Sequence, residues 1–342
     1  MKRKVVGFIC VAMVCLLLLA GCGSAPDPGT KNEAPSGSGE KEAVPAKTVK
    51  WAVGTSSSGS GPYQWGVGLA NIVNKYQNVV EISAQATAGY NENTALVAGK
   101  DIVLGLQTAN DIYTAYHQMD KFAGQEQFAD LRFVFALAVE HGHQVVRADS
   151  DIYTIRDLQG RKFNINSPAT ATSTRNEAML EAYGMSRDDF RIFELTTAET
   201  FNALRDNVIE GTANGYSIGN AALVDLSTNV PVRLLEIGEE EFKKFNQLQN
   251  NTMSYGVIPG GTYKGQDTDV KTWEGYSVLF THKDTDEEAI YQITKAFWEN
   301  LEELKEINAG FAFLTPDKAL GGAADVPLHP GAEKYFKEKG LR

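Results

Sequence analysis

The sequence predicts an α/β fold made of two similar units. Three observations carry that expectation. Short apolar strands alternate with amphipathic helices from residue 49 onward. A loop of small residues, rich in Gly, Ser, Thr and Ala, stands twice between an early strand and its helix, at 54–61 and 167–173. The chain has 342 residues, 43% of them hydrophobic, which suffices for one large core or two ordinary ones and excludes general disorder.

The elements follow in order. Val49, Trp51 and Val53 alternate with Lys50 and Ala52, as in a strand. A helix from about residue 63 sets Leu69, Ile72, Val73 and Tyr76 at i, i+3, i+4 and i+7 on one face. Residues 79–84 read as a second strand and 93–99 as a short helix. Residues 102–106 form a near-continuous apolar run, as in a buried parallel strand. Two more strands are expected at 131–139 and 144–147. The pattern then restarts. Asp157-Leu158-Gln159-Gly160 closes a short helix, 162–166 is a strand, and 174–183 is a helix ended by Gly184. A helix at 199–207, strands at 212–217 and 273–282, and a charged amphipathic helix at 287–303 complete the chain. Such alternation predicts parallel sheets.

The N-terminus reads as an export signal. Lys2, Arg3 and Lys4 precede an almost unbroken apolar run over 5–21. It ends Leu19-Ala20-Gly21-Cys22, which resembles the bacterial lipobox. In that family the peptide is cut before the Cys, whose thiol receives a diacylglycerol. The alternative is an uncleaved anchor helix of about the minimum spanning length. Cleavage after residue 21 removes Cys10 and Cys15, so Cys22 is the last of 3 cysteines. Nothing then remains for disulfides, thiolate catalysis or a Cys-bound metal. Residues 22–47 are a tether too poor in large apolar residues to fold. As a flexible chain it reaches roughly 25–30 Å. The expected location is extracytoplasmic, with the body lipid-anchored to a bacterial cell membrane.

Composition and motifs narrow the chemistry. Asp and Glu number 43 against 32 Lys and Arg, for a net charge of −11. No basic cluster follows residue 4, so a nucleic-acid partner is not expected. Gly54 and Gly59 have the outer spacing of a phosphate loop, but Ser60 stands where its Lys must be. A dinucleotide fingerprint fails because Gln64 occupies the third Gly position. What remains is a set of hydroxyls and free N–H groups at helix starts, suited to an anion or carboxylate; a turn that holds no ligand is the alternative. His141 and His143, with Glu140 beside them, lack a third ligand at metal spacing, so no metal or other cofactor is expected. No Ser lies in an elbow motif, and nothing pairs a nucleophile with a base. Asp188-Asp189 and Glu239-Glu240-Glu241 read as solvated helix starts or faces. Arg175, just inside the helix after the second loop, could clamp a carboxylate bidentately, although a surface position is the commoner outcome.

Five segments, in order behind the lipobox, resemble the TAXI-type extracytoplasmic solute receptors of tripartite ATP-independent periplasmic (TRAP) transporters. They begin with Gly54-Thr55-Ser56-Ser57-Ser58-Gly59-Ser60-Gly61-Pro62-Tyr63 and Thr87-Ala88-Gly89-Tyr90-Asn91-Glu92-Asn93. Ser167-Pro168-Ala169-Thr170-Ala171-Thr172 and Ile258-Pro259-Gly260-Gly261-Thr262-Tyr263-Lys264-Gly265 follow. The last is His329-Pro330-Gly331-Ala332-Glu333-Lys334-Tyr335-Phe336. The likeness spans about residues 49–340. Ala169 and Ala171 replace glycines usual in that family, Pro62 replaces a Tyr, and Tyr90 replaces a Ser. These departures alter the pocket, because a backbone approaches a ligand most closely at Gly.

The resemblance implies a two-domain type II periplasmic-binding-protein fold with a ligand cleft between the domains. Domain one would take 48–145 and 276–342, and domain two 146–275. Both small-residue loops would then face the cleft, outside the carboxyl ends of strands. Thr55, Ser57, Ser58 and Ser60 would offer hydroxyls and N–H groups, with Tyr63 as a wall. Thr87, Tyr90 and Asn93 would form a second edge. Thr170, Thr172 and Ser173 would hold a carboxylate from domain two, with Tyr216 and Asn220 as weaker candidates. The implied partners are a small-molecule ligand, such as an organic acid or acidic amino acid, and TRAP permease subunits in the membrane. Two rivals stand beside this. One is a receptor of similar fold for an ATP-driven importer or a sensor kinase. The other, a secreted hydrolase, needs a nucleophile–base pair or metal cluster that the sequence does not display.

Overall fold

The computed structural model describes residues 49–342, apart from 59 and 169. The signal segment 1–21, Cys22 and the tether 22–47 lie outside the described residues.

The first lobe opens with β1 (Val49–Gly54), α1 (Gly61–Tyr76), β2 (Val80–Gln85), α2 (Tyr90–Ala98), β3 (Leu104–Thr108) and α3 (Ala109–Tyr116). Ser60 caps α1, with Pro62 in the first turn, and Thr108 caps α3. The long strand β4 (Leu131–Arg147) then leads away. The second lobe holds β5 (Lys162–Asn164), α4 (Ala171–Ala182), β6 (Arg191–Phe193), α5 (Thr197–Arg205) and β7 (Gly211–Tyr216). It continues with α6 (Ala221–Asn229), β8 (Val232–Leu234), α7 (Glu239–Leu248) and β9 (Ser254–Ile258). The second long strand, β10 (Val270–His282), returns to α8 (Glu287–Glu299), α9 (Leu301–Ile307) and α10 (Pro330–Glu338).

One mixed sheet runs through the molecule in the order β2-β1-β3-β10-β4-β7-β5-β6. The flanks are parallel: β1 with β2 and β3, and β5 with β6 and β7. The centre is antiparallel, because β10 runs against β3 and β4, and β4 runs against β7. This corrects the expectation of parallel sheets. An apolar run records burial, not strand direction, so the two reversals leave no trace in periodicity.

The strands expected at 131–139 and 144–147 are one continuous strand of 17 residues. Residues 140–143 interrupt the apolar pattern without interrupting the backbone. There β4 exchanges partners: His141 pairs with Glu274 of β10 on one side and with Tyr216 of β7 on the other. Three apolar cores follow the same division. The first is built from residues up to Val139 and from Tyr276 onward, including Phe133, Phe135, Phe280, Phe297, Phe311 and Phe336. The other two contain only residues between Val145 and Trp273. At about 25 cal/mol per Å² of apolar surface buried, each core is a substantial source of stability for its own lobe. Strands β4 and β10 are the chain shared between them.

Smaller differences have local causes. The helix expected at 287–303 is two helices, broken at Asn300, whose side-chain amide donates back to the Ala296 carbonyl at 2.8 Å. The turn before Gly160 is a 3₁₀ helix, Ile155–Leu158. Helix α4 starts three residues earlier than periodicity indicated, so Thr172 and Ser173 lie in its first turn. The acidic segments 188–189 and 239–241 do start short helical elements, as expected. Among the described residues, no helix is long and apolar enough to cross a membrane.

Candidate functional site

The two small-residue loops occupy equivalent places. Each leaves the carboxyl end of a parallel strand, β1 or β5, and enters a helix through a hydroxyl cap. Ser60 Oγ accepts from the Tyr63 amide at 3.3 Å, and Thr170 Oγ1 accepts from the Ser173 amide at 3.1 Å. These caps satisfy one free N–H each and leave others at the helix starts open. Residues from both loops meet at a cleft of about 380 Å³. Ser56, Pro62, Gly89, Tyr90 and Asp111 line it from the first lobe, and Thr170 and Ala171 from the second. Of the candidate ligand residues, Tyr90 and Thr170 lie on this lining.

The other candidates are placed as follows. Thr55 is fully buried, and its hydroxyl donates to the Gln85 carbonyl at 2.7 Å, pinning the loop to the end of β2. Asn93 is fully buried, and its amide donates to the carbonyls of Thr55 (2.7 Å) and Leu106 (2.9 Å). Thr87 donates to Asn93 Oδ1 at 2.8 Å and accepts from the Gly89 amide. These three side chains therefore hold the loops in place, with their polar atoms engaged by the fold. Gly89 caps α2 at φ 131°, a backbone state that L side chains avoid. Ser57 and Ser58 are exposed, and Tyr63 is half-buried in the first turn of α1.

On the second lobe, Thr172 Oγ1 donates to Asn214 Oδ1 at 3.2 Å, and Asn214 Nδ2 donates to Tyr216 Oη at 3.0 Å. Ser173 and Tyr216 are buried. Asn220 caps α6, accepting from the amides of Ala222 and Leu223. Tyr216 packs edge-on against His143. His143 Nδ1 faces the His141 carbonyl at 2.8 Å, and Nε2 faces Tyr263 Oη at 2.8 Å. A carbonyl only accepts, so Nδ1 carries the proton. Burial lowers the His143 pKa to about 3, which keeps the ring neutral. Among the described residues, no group of three His, Cys, Asp or Glu could hold a metal ion.

Sequence reasoning undervalued the floor between the lobes. Arg175, for which a surface position was the commoner expectation and a carboxylate clamp the other, is buried. Its guanidinium stacks 4.6 Å from the Trp273 ring centroid and lies 3.8 Å from the Glu140 carboxylate. Helical spacing on α4 gave no sign of this, because the groups that cover Arg175 come from β4 and β10. Burial raises the pKa of Glu140, and Arg175 opposes that rise. Tyr90 connects this floor to the cleft lining. Its hydroxyl is bonded to Ser277 at 2.6 Å, and both Glu140 and Arg175 act on it electrostatically. Beside them, Glu274 accepts from Tyr276 Oη at 2.7 Å, from Lys318 Nζ at 2.5 Å and from His141 Nε2 at 3.2 Å.

Two solved structures are similar in fold. The periplasmic sulfonate-binding protein SsuA from Methylobacillus flagellatus superposes with a TM-score of 0.50 at 14% identity, covering 86% of this chain and 88% of its own. The periplasmic aliphatic sulphonate binding protein SsuA from Escherichia coli gives 0.49 at 14% identity, covering 85% and 84%. The architecture is thus the two-domain fold of periplasmic solute-binding proteins, as expected. A sequence match to a family model runs over nearly the whole described chain. Matched across residues 53–340, this chain belongs to the NMT1-like family.

Proposed function

We propose that the protein is an extracytoplasmic receptor that captures a small organic acid or acidic amino acid and hands it, unchanged, to a membrane transporter. The observation that carries this is the cleft itself. Two loops of matched chemistry, from lobes with separate cores, face one space. Lobes joined by two continuous strands can close on a ligand by hinge motion. Helix-start amides with hydroxyls beside them suit an anionic group.

The five TAXI-like segments favour an ion-gradient-driven TRAP permease as the transporter. A second reading, an ATP-driven importer, draws on the Methylobacillus flagellatus neighbour, a protein described with a sulfonate ABC transporter. Lipid on Cys22 would hold the receptor at the membrane in either case. Sedimentation of solubilised membranes with the tagged receptor separates the two readings by the partner recovered.

The test of capture is a thermal-shift screen of the purified protein against carboxylates, amino acids and alkanesulfonates. A ligand at 100 times its Kd stabilises the folded state by about 2.7 kcal/mol. The expected result is a raised Tm with one chemical class and recovery of that compound unaltered. Steady conversion of the bound compound overturns the receptor reading in favour of an enzyme.

A further inference from the structure

Arg175 and Glu140 form an incomplete pair at the junction of the lobes. The Arg175 side chain is only 9% exposed, and Nη1 stands 3.8 Å from Glu140 Oε2. That is within ion-pair range but too long for a hydrogen bond. Among the described residues, no acceptor lies within hydrogen-bond distance of the guanidinium. None of the described donors reaches the Glu140 carboxylate either. A guanidinium has five N–H donors, and what the protein leaves unpaired here is turned to solvent at the junction: the Glu140 side chain is 19% exposed, and no polar atom of either residue is both fully buried and unpartnered.

The surrounding backbone is cut back to hold this pair. A Cβ at Gly215 would lie 2.9 Å from Arg175 Nη1, 3.0 Å from Glu140 Oε2 and 2.8 Å from the Trp273 ring. A Cβ at Gly142 would lie 2.4 Å from Trp273 Nε1. Glycine at these positions leaves room for the indole and for the charge stacked on it.

We infer that Glu140 is a resting counter-ion. The acid group of an incoming carboxylate or sulfonate replaces it on Arg175, and Glu140 then takes up one proton from solvent. The inference rests on the receptor reading above and adds a proton to it. Charge balance favours the proton. An anion bound to Arg175 neutralises the cation that acts on Glu140. A carboxylate left buried without a partner is costly, and protonation removes that cost. The remaining groups that face Glu140 do not replace Arg175. Tyr90 from α2 and Tyr216 from β7 are phenols that burial holds in the neutral form. Glu274 of β10 is engaged by Lys318, Tyr276 and His141.

Two measurements test this. The first needs no ligand: the Glu140 carboxyl ¹³C shift is followed against pH in the wild type and in Arg175→Gln. The midpoint is expected to rise by at least about one pH unit in the variant; an unchanged midpoint overturns the counter-ion role. The second is calorimetry with succinate and with methanesulfonate, in buffers of different ionisation enthalpy. Uptake approaching one proton per ligand is expected, with affinity falling by up to about tenfold per pH unit above the Glu140 midpoint. The probe that binds distinguishes a carboxylate from a sulfonate ligand. Glu140→Gln is expected to bind with no proton uptake and at an affinity independent of pH. Binding by the wild type without proton uptake overturns the exchange alone, as would happen if a ligand ammonium kept Glu140 charged. Failure to bind either probe at any pH overturns the exchange, whatever the carboxyl shift, whereas the receptor reading falls only if the wider screen of carboxylates, amino acids and alkanesulfonates also finds no ligand.

Discussion

Glu274→Gln isolates a charge that holds the lobe junction together. The wild-type carboxylate is buried and accepts from Tyr276, Lys318 and His141. Burial alone would raise its pKa, but those three donors outweigh it and lower the value from 4.5 to about 2. At about 1.4 kcal/mol per pH unit, the difference caps the contribution at about 3.4 kcal/mol. Solvent screening at the Lys318 side of the pair reduces this to roughly 2 kcal/mol. The folded value lies below the unfolded one. The contribution is therefore complete above pH 4.5 and is lost as the pH falls toward 2. The Gln variant keeps the shape but not the charge, and its amide turns a donor toward groups that also donate. Urea unfolding from pH 2.5 to 7 should give a stability gap of roughly 2 kcal/mol at neutral pH that closes at the acid end. A gap that stays constant or widens on acidification would refute the account of Glu274.

Three further outcomes are expected. Gly331→Ala places a Cβ 2.1 Å from the Glu287 carbonyl oxygen and 2.8 Å from the Tyr291 amide, both backbone atoms of α8. Helix α10 must shift, at a cost of about 1–3 kcal/mol, which thermal melting reads as a lower Tm; an unchanged Tm refutes the close approach. Gly215→Ala crowds Arg175, Glu140 and Trp273 together, and should weaken ligand binding about tenfold or more by moving the guanidinium, as a 1–2 kcal/mol loss of a charge-assisted contact implies. Cys22→Ser should abolish lipid labelling, checked by mass spectrometry of membrane-bound protein; an unmodified Cys22 in the native protein removes the anchor.

The fold was legible where burial follows a period. Strands β1 and β3 and helix α1 lie within two residues of where alternation and i, i+3, i+4 spacing put them. Strand direction was not legible, because an apolar strand buried on both faces reads alike in either sense. The continuity of β4 was hidden for a related reason. Glu140, His141 and His143 look like a loop in a hydropathy pattern, yet they sit at the point where the strand leaves one core for another. Their polar groups are accommodated in different ways: Glu140 and His141 meet Arg175 and Glu274 at the junction, whereas His143 is fully buried between Tyr216 and Tyr263 of the third core.

Several family-like segments turn out to shape the backbone away from the cleft. In 258–265, a Cβ on Gly260 would meet the Asp267 carbonyl oxygen at 2.7 Å, Gly261 has φ 80°, and Tyr263 bonds His143. In 329–336, His329 caps α10, Pro330 begins it and Gly331 lets it touch α8. In this structure these motifs act on backbone path and packing. The segments at 54–63, 87–93 and 167–172 do reach the cleft, yet Thr55, Thr87 and Asn93 within them spend their side chains on one another and on carbonyls. A hydroxyl in a loop advertises hydrogen bonding without saying with what. Arg175 is the converse. Its own helix is polar enough that a buried cation there breaks no periodic pattern, and the residues that bury it lie 35 positions before and 98 after in the chain, at Glu140 and Trp273. If the ligand meets Arg175 as inferred above, specificity is set where chain segments distant in sequence converge, so it is the part a single sequence reveals least and the part that substitutions at Arg175 and Glu140 address first.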